Sequence, residues 1–336
     1  MTWRGRSVLV TGATGFVGAR VAARLVDEGA RVTALVRDPG AADELRRRSI
    51  ALVAGDLAAA DVLDAACRGN EVVLHCAARS GDSGSLADFY RDNVEGTLNL
   101  ARAAVRADCA RLVHLSSVSV YGFEPPPVAD ESTPVGRLGG DYPYAEAKIV
   151  AERMLRAFEQ PGGTSVVIVR VGSVFGPGSR HWTVRPVRVL RNPRVGLLLV
   201  DRGEGLHNYV YIDNLVDGLL LAAGHPAAAG GLFNLTDGAV TYRAFFDFYA
   251  LMIRGGTGRV RNIDRRAALA VAYAAEQLAR WRGRDPLLTR IAVKLLLRRS
   301  RFPSARAADV LGFRPAVPLD QGMAACQQWL SGQGLV

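Results

Sequence analysis

Lysine, cysteine and histidine are scarce in this sequence of 336 residues. Lys148 and Lys294 are its two lysines, so arginine supplies 40 of the 42 basic side chains. The four cysteines, at positions 67, 76, 109 and 326, stand far apart, and no pair has the short spacing of a zinc or redox motif. We therefore expect reduced thiols in a cytoplasmic protein. The five histidines show no metal-ligand spacing, which predicts no metal site.

Long hydrophobic runs are also missing. No apolar run approaches the roughly 20 residues that cross a bilayer. The start of the chain leads directly into a predicted strand, without the apolar region of a signal peptide. The net charge of +10 comes from arginines spread along the chain, so we do not expect a nucleic-acid partner.

One stretch, from 254 to 301, is densely basic. Two helices predicted within it, at 263–281 and 287–297, carry an apolar face opposite the arginines. The interpretation that we favour is a cap packed over a substrate cleft, with its arginines in solvent. The other is contact with a membrane surface, to which basic amphipathic helices also bind. The apolar face consists of Leu269, Val271, Leu278, Leu287, Ile291, Leu295 and Leu296.

Apolar runs typical of strands alternate with helical periodicity through the first half of the chain. This order predicts an α/β fold, a doubly wound parallel sheet of the Rossmann type. The predicted strands are 7–11, 31–36, 50–54, 71–76, 111–116 and 165–171, and the predicted helices are 15–28, 42–48, 58–68, 86–107 and 144–160.

The pattern changes after Val171. Residues 176–202 are rich in Gly, Pro and Arg and are predicted to be loop with little regular structure. Short strands near 209–211 and 232–235 are expected to rejoin the sheet, and the rest of the chain is predicted to be mostly helical. We therefore predict a dinucleotide-binding unit and a smaller substrate-binding region, the first over 1–175 with 205–236 and the second over 176–204 with 237–336.

A glycine-rich loop joins the first predicted strand to the first predicted helix. Gly12 permits a tight turn, Gly15 lets the backbone approach a pyrophosphate, and Gly18 lets the helix pack closely on the strand. Free N–H groups and the dipole at the helix N-terminus favour phosphate there. The loop is thus predicted to bind a dinucleotide through the segment Thr11-Gly12-Ala13-Thr14-Gly15-Phe16-Val17-Gly18.

With further motifs in the same order, this loop resembles that of the extended short-chain dehydrogenases, in the NAD-dependent epimerase/dehydratase superfamily. The resemblance implies that Asp56 and Leu57 lie near the adenine and that Ala77, Ala78 and Val171 line the cofactor site. It also implies that Asn93 holds its helix to the cofactor loop. The motifs are Gly55-Asp56-Leu57, His75-Cys76-Ala77-Ala78, Asn93-Val94-Glu95-Gly96-Thr97, Ser116-Ser117, Tyr144-x-x-x-Lys148, Arg170–Pro177 and Tyr209–Asn214.

The end of the second predicted strand bears on the choice of cofactor. An NAD-preferring loop usually places an acid there to bind the ribose 2′-hydroxyl, whereas this chain has Val36 followed by Arg37. A guanidinium suits a 2′-phosphate in charge and in hydrogen-bond geometry. We therefore favour NADP(H). In the alternative, Arg37 is an ordinary solvated side chain and Asp38 serves NAD(H).

Tyr144 and Lys148 are one helical turn apart and so share a face of their predicted helix. The nearby Tyr142 has Glu146, and not a lysine, four residues on. A free phenol has a pKa of about 10, and a neighbouring ammonium lowers it. Tyr144 is therefore predicted to exchange a proton with an alcohol or ketone while hydride moves to or from a nicotinamide. The resemblance implies further that Lys148 bonds the nicotinamide ribose.

A serine is the third predicted catalytic residue. Ser117 follows the fifth predicted strand, and its hydroxyl is expected to orient and polarise the reacting oxygen. If the register differs by one residue, Ser116 takes this place.

Three departures separate the chain from the sugar-processing members of the family that it resembles. Dehydratases have an Asp-Glu pair after the catalytic hydroxyl, where this chain has Val118 and Ser119. Nucleotide-sugar enzymes have Asn at the position of Ser173 and Arg just before the aromatic strand, where this chain has His207 and Asn208. The C-terminal segments 277–290 and 302–315 are instead similar to those of 3β-hydroxysteroid and sterol dehydrogenases, and of bacterial relatives that reduce β-keto acids.

These features predict an enzyme that interconverts a ketone and a secondary alcohol on a hydrophobic small molecule, by reduction if NADPH is the cofactor. Two alternatives stay open. One is a nucleotide-sugar epimerase with tightly bound NAD, and the other is a cofactor-binding protein without catalysis. A homodimer is compatible with the resemblance.

Overall fold

Buried apolar runs form the central strands, as a sheet covered on both faces requires. All five residues of the first strand are buried. The computed structural model describes residues 2–81, 84–136, 138–159, 163–192, 196–253, 260–283, 286 and 288–336. Its strands are β1 (Ser7–Thr11), β2 (Arg31–Val36), β3 (Ala51–Ala54), β4 (Val72–His75), β5 (Arg111–Ser117), β6 (Ser165–Val171), β7 (Ser173–Phe175), β8 (Leu197–Val200), β9 (Leu206–Tyr211), β10 (Leu232–Leu235), β11 (Gly238–Thr241) and β12 (Val260–Ile263).

Several helices begin after a side chain that caps the free N–H groups of the first turn. Thr241 accepts from the Ala244 N–H at 3.1 Å, and Thr289 accepts from the Ala292 N–H at 3.0 Å. The helices are α1 (Phe16–Asp27), α2 (Asp43–Arg47), α3 (Ala60–Cys67), α4 (Leu86–Phe89), α5 (Gly96–Arg106), α6 (Pro143–Leu155), α7 (Arg185–Arg191), α8 (Ile212–Gly224), α9 (Tyr242–Met252), α10 (Arg265–Arg282), α11 (Arg290–Leu296), α12 (Ala305–Leu311) and α13 (Leu319–Gly332).

In the described ranges, seven strands form one parallel sheet in the order β10-β6-β5-β4-β1-β2-β3. Alternate side chains of a strand point to opposite faces, so Val8 and Val10 of β1 enter one core and Leu9 enters another. Helices α1, α8 and α12 cover the first face, and α3, α5 and α6 cover the second. The predicted doubly wound Rossmann sheet is confirmed, and Leu232–Leu235 rejoins it beside β6 as predicted.

The strand predicted near 209–211 does not rejoin this sheet, so that prediction was wrong. β9 pairs in parallel with β7 and antiparallel with β11, in a separate sheet of the described chain. The two sheets separate at Gly172, where an added Cβ would lie 2.6 Å from the Asn208 carbonyl oxygen. The chain turns at this close approach, which brings β7 beside β9.

Residues 176–202 contain more regular structure than predicted. They include α7 and β8, and β8 pairs in parallel with β12. Pro186 is tolerated because it lies in the first turn of α7, where its missing N–H leaves no bond unmade. Val187 and Leu190 are buried in a core shared with α9 and α13. Burial of these residues outweighs the local Gly and Pro content, which is why the loop prediction failed.

Two predicted helices of the first half differ from the structure in detail. The helix predicted over 86–107 is interrupted between α4 and α5 by the π-helical turn Tyr90–Glu95. The helix predicted over 144–160 ends as α6 at Leu155 and continues as a short 3-10 turn, and Gln160 lies outside the described residues.

The predicted apolar face of the basic C-terminal helices is split in α10. Leu269 packs with Ala268, Ala272 and Val293 in a small core. Val271 and Leu278, by contrast, are 47% and 46% exposed and lie on the outer side. Leu287 lies outside the described residues. Among the described helices, none combines the length and apolar character needed to cross a bilayer.

A buried ion pair joins α6 to β6. Arg170 donates to Glu152 from Nη2 at 2.7 Å and from Nε at 3.1 Å. The hydroxyl of Ser116 donates to the same carboxylate. The ring of Tyr121 lies 4.8 Å from the guanidinium carbon of Arg170. These contacts hold α6 against the ends of β5 and β6.

Replacing Glu152 by glutamine should lower the midpoint of thermal unfolding by roughly 5–10 °C, because the buried guanidinium of Arg170 loses its counter-charge. Scanning calorimetry measures this change. The matched control is Asp64→Asn, which removes the partner of the exposed Arg106 and should shift the midpoint by less than about 2 °C. Equal shifts in the two variants would contradict the stabilising role of the Glu152–Arg170 pair.

Candidate functional site

The glycine loop between β1 and α1 places main-chain atoms without bulky side chains at the carboxyl edge of the sheet. Gly12 has a φ of +70°, and a Cβ added there would lie 2.7 Å from the Ala77 nitrogen. A Cβ on Gly18 would overlap the Gly12 carbonyl oxygen, so α1 packs on β1 only with glycine at this position. Thr14 and Gly15 are exposed, and α1 begins immediately after them at Phe16. The N-terminus of α1 is therefore open, and the loop fits the pyrophosphate of a dinucleotide.

Hydrogen bonds fix the neighbouring end of β4. His75 Nδ1 lies 2.7 Å from Thr11 Oγ1, and His75 Nε2 lies 2.9 Å from Thr97 Oγ1. Asn93 accepts from the Arg79 N–H at 2.7 Å and donates to the Arg79 carbonyl at 2.9 Å. Asn93 thus holds the loop that contains Ala77 and Ala78 against the turn before α5.

In the described ranges, no three His, Cys, Asp or Glu side chains are placed to hold a metal ion. Burial, with a smaller effect of the Lys148 charge, lowers the pKa of His75 to about 3, so its ring is neutral. All four cysteines are described, and each has a free thiol.

The ends of β2 and β3 carry the residues predicted to face the adenine and its ribose. Arg37 is exposed, and it forms no hydrogen bond or ion pair with the described residues. Asp38 accepts from the Gly40 N–H at 2.8 Å and so caps a short turn. Asp56 is exposed and accepts from the Ala58 N–H at 3.0 Å, while the Leu57 carbonyl accepts from Asn99 at 3.1 Å. Of the two candidates for the ribose, Asp38 thus has one carboxylate oxygen engaged by its own turn, whereas the guanidinium of Arg37 makes no bond to the described residues.

Lys148 is almost completely buried beneath the carboxyl edge. Its side chain is 2% exposed, and its ammonium donates to the Leu115 carbonyl at 2.8 Å. Burial lowers the pKa of Lys148 to about 8, and the nearby carboxylate of Glu152 acts in the opposite direction. The ammonium is therefore still charged at neutral pH.

The pKa of Tyr144 is displaced in the direction opposite to the prediction. Burial of the phenol raises the pKa of Tyr144 above its usual value, Tyr142 adds to this effect, and a hydrogen bond with Ser117 partly offsets it. Lys148 is not among the groups that act on this pKa, and its ammonium instead donates to the Leu115 carbonyl. Tyr144 therefore retains its proton at neutral pH.

Ser117, and not Ser116, lies beside Tyr144. Ser117 Oγ is 3.0 Å from Ser119 Oγ and accepts from the Ser119 N–H at 3.1 Å. Ser116 points to the other side of β5, where it bonds Glu152, as the alternation of a strand requires. Val171 of β6 is buried and pairs with Ser117 across the sheet. The structure thus brings Ser117, Tyr144, Lys148 and Val171 together at one edge.

Aromatic side chains surround Tyr144. The ring centres of Tyr142 and Phe89 lie 5.9 Å and 6.2 Å from that of Tyr144. Phe123 stacks on Tyr142 at 5.7 Å, and the ammonium of Lys294 lies 4.8 Å from the Phe123 ring centre. This group of aromatic rings could not be predicted from the sequence, because Phe123 is brought to α6 only by the turn after β5.

A groove of about 600 Å³ adjoins the N-terminus of α6. One side is formed by the loop before α6 and the other by α10 and α11. Lys294 pairs with Asp141 at 3.0 Å across this groove. Ile291 and Leu295 of α11 thus pack in the same cluster as Tyr142 and Tyr144.

Comparison with protein families identifies the family of the chain. The model of the NAD dependent epimerase/dehydratase family matches residues 8–236, from β1 to the residue after β10. The chain belongs to this family. It is an NAD(P)-dependent enzyme of the extended short-chain dehydrogenase/reductase type, as its glycine loop and its relatives agree.

Several curated relatives of similar length are named as oxidoreductases. The chain is 33% identical, over 97% of both chains, to the 4-hydroxy-2-methyl-3-oxo-4-farnesyl-3,4-dihydroquinoline-1-oxide ketoreductase of Stigmatella aurantiaca. It is 29% identical to the 2-alkyl-3-oxoalkanoate reductase of Shewanella oneidensis, over 94% of this chain and 84% of that one. It is 30% identical to the 3 beta-hydroxysteroid dehydrogenase/Delta 5-->4-isomerase of Mycobacterium tuberculosis, over 95% and 89%. The resemblance to this branch is confirmed.

A solved structure of the same fold contains a dinucleotide. MoeE5 in complex with UDP-glucose and NAD superimposes with a TM-score of 0.78 at 26% sequence identity, over 99% of this chain and 100% of that chain. Its bound NAD agrees with the family's use of a nicotinamide dinucleotide.

Gly12→Ala should weaken binding of NADPH and NADH at least about tenfold, because the added Cβ forces the loop away from Ala77 and the backbone is strained at positive φ. Isothermal titration calorimetry measures this. Gly5→Ala is the matched control, since Gly5 also has a positive φ, +77°, but has nothing within 4 Å of an added Cβ. Unchanged binding in Gly12→Ala would contradict the assignment of the loop.

Proposed function

We propose that this family member reduces a ketone to a secondary alcohol on a mainly apolar small molecule, with NADPH as the preferred cofactor. The observation that carries the proposal is the convergence of Ser117, Tyr144 and Lys148 at the carboxyl edge, beside the open N-terminus of α1. The ketoreductase among its relatives supports a ketone as the reacting group.

In this mechanism Tyr144 is the proton donor. A nicotinamide dinucleotide held by the glycine loop would supply the hydride, and Tyr144 would give its proton to the carbonyl oxygen. The raised pKa of Tyr144 supports the direction of reduction, since the phenol stays protonated at neutral pH. Ser117 holds the carbonyl oxygen near the phenol through its hydroxyl.

Lys148 stabilises the negative charge left on Tyr144 after the proton has moved. Its own pKa of about 8 keeps it cationic at neutral pH, with Glu152 acting to maintain that charge. By the family resemblance, Lys148 also bonds the nicotinamide ribose. This second contact would draw the ammonium partly away from Leu115.

Preference for NADPH rests on Arg37. Its guanidinium is exposed at the end of β2 and has no partner among the described residues, whereas Asp38 is engaged by the Gly40 N–H. A free guanidinium can take the 2′-phosphate with two parallel hydrogen bonds.

The aromatic side chains near Tyr144 favour an apolar substrate. Phe89, Phe123 and Tyr142 pack around Tyr144 on this side of α6, and of the three Phe123 is the partly exposed one. These rings offer dispersion contacts to an alkyl or ring system but few donors for a sugar.

Tyr144→Phe should reduce the rate of ketone-dependent NADPH oxidation by about 10³-fold or more, because the proton donor is lost while the ring is kept. Steady-state assays with aliphatic and cyclic ketones measure this, and calorimetry should give an unchanged affinity for NADPH. Tyr273→Phe, at an exposed position on α10, is the matched control and should keep the parent rate.

If Tyr144→Phe reduced ketones at the same rate as the parent protein, the proposed mechanism would be wrong. Transient formation of NADH from bound NAD with a nucleotide sugar, without net consumption of NADPH by ketones, would instead show an epimerase. Binding of cofactor without turnover of any of these compounds would show a non-catalytic protein.

Arg37→Ala should weaken NADPH binding by about 10- to 100-fold and leave NADH binding within about twofold, since only NADPH carries the 2′-phosphate. Calorimetric titration of both cofactors gives the ratio. Arg31→Ala, at the opposite end of β2, is the control and should change neither affinity. Equal loss of NADPH and NADH affinity in Arg37→Ala would show that Arg37 does not bind the 2′-phosphate.

A further inference from the structure

The net charge of the chain is concentrated in the segment 254–301. This segment contains 13 basic and three acidic residues and so carries a net charge of +10. The whole chain also carries +10, from 42 basic and 32 acidic residues, so the other 288 residues have 29 of each sign. Arginines are thus spread along the chain, but the acidic residues that balance them are nearly absent from this segment. A surface formed by the segment attracts anions.

The longest described helix of the segment, α10, has one buried side and one apolar exposed side. Ala268, Ala272 and Ala279 are buried, and the first two share a small core with Val293 of α11. Five other apolar side chains are exposed and follow one another at intervals of four and three residues, which places them in one stripe along the helix. The stripe consists of Ala267, Val271, Ala274, Leu278 and Trp281.

The C-terminal half of the stripe exposes the largest side chains. Trp281 is 81% exposed and Leu278 is 46% exposed. An exposed tryptophan beside an exposed leucine is unfavourable in water, because both present apolar area that a partner could cover. The stripe therefore has the character of a contact surface.

Arginines lie at both ends of the stripe. Arg265, Arg266, Arg280 and Arg282 are exposed, and their guanidinium groups form no hydrogen bond or ion pair with the described residues. The acidic residue of α10, Glu276, is 14% exposed in its side chain and pairs with Arg290 at 2.8 Å. The exposed side of α10 thus presents positive charge that the helix itself does not neutralise.

The stripe and its arginines fit the surface of an anionic bilayer. Aliphatic side chains gain by leaving water for the acyl region, and a tryptophan ring is favoured at the level of the headgroups. Guanidinium groups beside the stripe are attracted to lipid phosphates, and each of them adds to the binding. A helix bound in this way lies in the plane of the surface.

Two other occupants fit this surface less well. Interfaces with nucleic acid are polar and highly charged, whereas the centre of this face is made of alanine, valine, leucine and tryptophan side chains. A second copy packed on the same stripe would bring together two segments that each carry a charge of +10, and juxtaposed like charges oppose association. A bilayer with anionic lipids suits both the apolar stripe and the positive charge.

We propose that α10 attaches this protein to the surface of an anionic membrane, with Leu278 and Trp281 inserted below the headgroups and the arginines of α10 bound to lipid phosphates. Ala279 and Arg280 of the same helix line the groove beside the N-terminus of α6. Attachment therefore brings this groove close to the lipid. The proposal does not depend on the proposed reduction of a ketone.

Sedimentation with vesicles tests the attachment without substrate or cofactor. The parent should partition at least about tenfold more strongly to vesicles of phosphatidylcholine and phosphatidylglycerol, in a ratio of about 7:3, than to phosphatidylcholine alone. Raising the NaCl concentration from about 0.05 to about 0.5 M should weaken this binding at least about tenfold, because salt screens the charges. The tryptophan fluorescence should shift to shorter wavelength on binding, since Trp281 leaves water.

Leu278→Ser/Trp281→Ser should weaken binding to the anionic vesicles at least about tenfold and abolish the fluorescence shift, because the inserted apolar side chains are lost. The midpoint of thermal unfolding should change by less than about 2 °C, since both side chains are exposed. Met154→Ser is the matched control: Met154 is 40% exposed on α6, outside the basic segment, and this variant should bind as the parent does.

Arg280→Gln/Arg282→Gln should weaken binding to the anionic vesicles by about tenfold or more, because two contacts with lipid phosphates are lost. The matched control, Arg46→Gln/Arg47→Gln, removes two charges from α2, where each arginine pairs with an acidic residue three positions before it. It should keep the parent affinity within about twofold. Equal loss in both double variants would show that total charge and not α10 determines binding, and would overturn the proposal.

Three further outcomes would also overturn the proposal. One is a parent that binds neither kind of vesicle, or binds both equally, which needs no variant. Another is a loss of binding in Arg280→Gln/Arg282→Gln without a loss in Leu278→Ser/Trp281→Ser, which would show a surface for polyanions such as nucleic acid. The third is a parent that is dimeric in analytical ultracentrifugation without lipid and monomeric as Leu278→Ser/Trp281→Ser, which would show that a second copy covers the stripe.

Discussion

One face of α6 carries the constraint on which the rest of the site depends. Tyr144, Lys148 and Glu152 follow one another at four-residue intervals and so lie in one line along the helix. Glu152 is tied to Arg170 of β6 and to Ser116 of β5, and Lys148 is tied to the Leu115 carbonyl. Because the two inner contacts fix the rotation of α6 against the sheet, the outermost residue, Tyr144, is held beside Ser117.

Burial determines the protonation states of Tyr144 and Lys148. It raises the pKa of Tyr144 and lowers that of Lys148, so both groups keep their protons at neutral pH. This state suits donation of a proton to a carbonyl oxygen, and Glu152 supports it by opposing the loss of charge on Lys148. The same low polarity that packs α6 against the sheet therefore favours one direction of the proposed reaction.

Much of the dinucleotide-binding half could be predicted because its signals are local. β1 and β2 match their predicted bounds, since each is a mainly apolar run followed by a turn. The glycine loop was recognisable from the spacing of Gly12, Gly15 and Gly18. The same reasoning failed for β9, whose partners β7 and β11 are decided by the close approach at Gly172. It failed again for α7, where Val187 and Leu190 are buried by distant helices.

By itself the sequence determined the order of strands and helices, the glycine loop and the shared helical face of Tyr144 and Lys148, because each depends on residues within one or two turns of each other. Only the tertiary structure decided that Ser117 rather than Ser116 meets Tyr144, and that the pKa of Tyr144 rises rather than falls. Solvation, counter-charges and access to the cleft depend on which segments pack together, and those contacts join residues that are far apart in the chain.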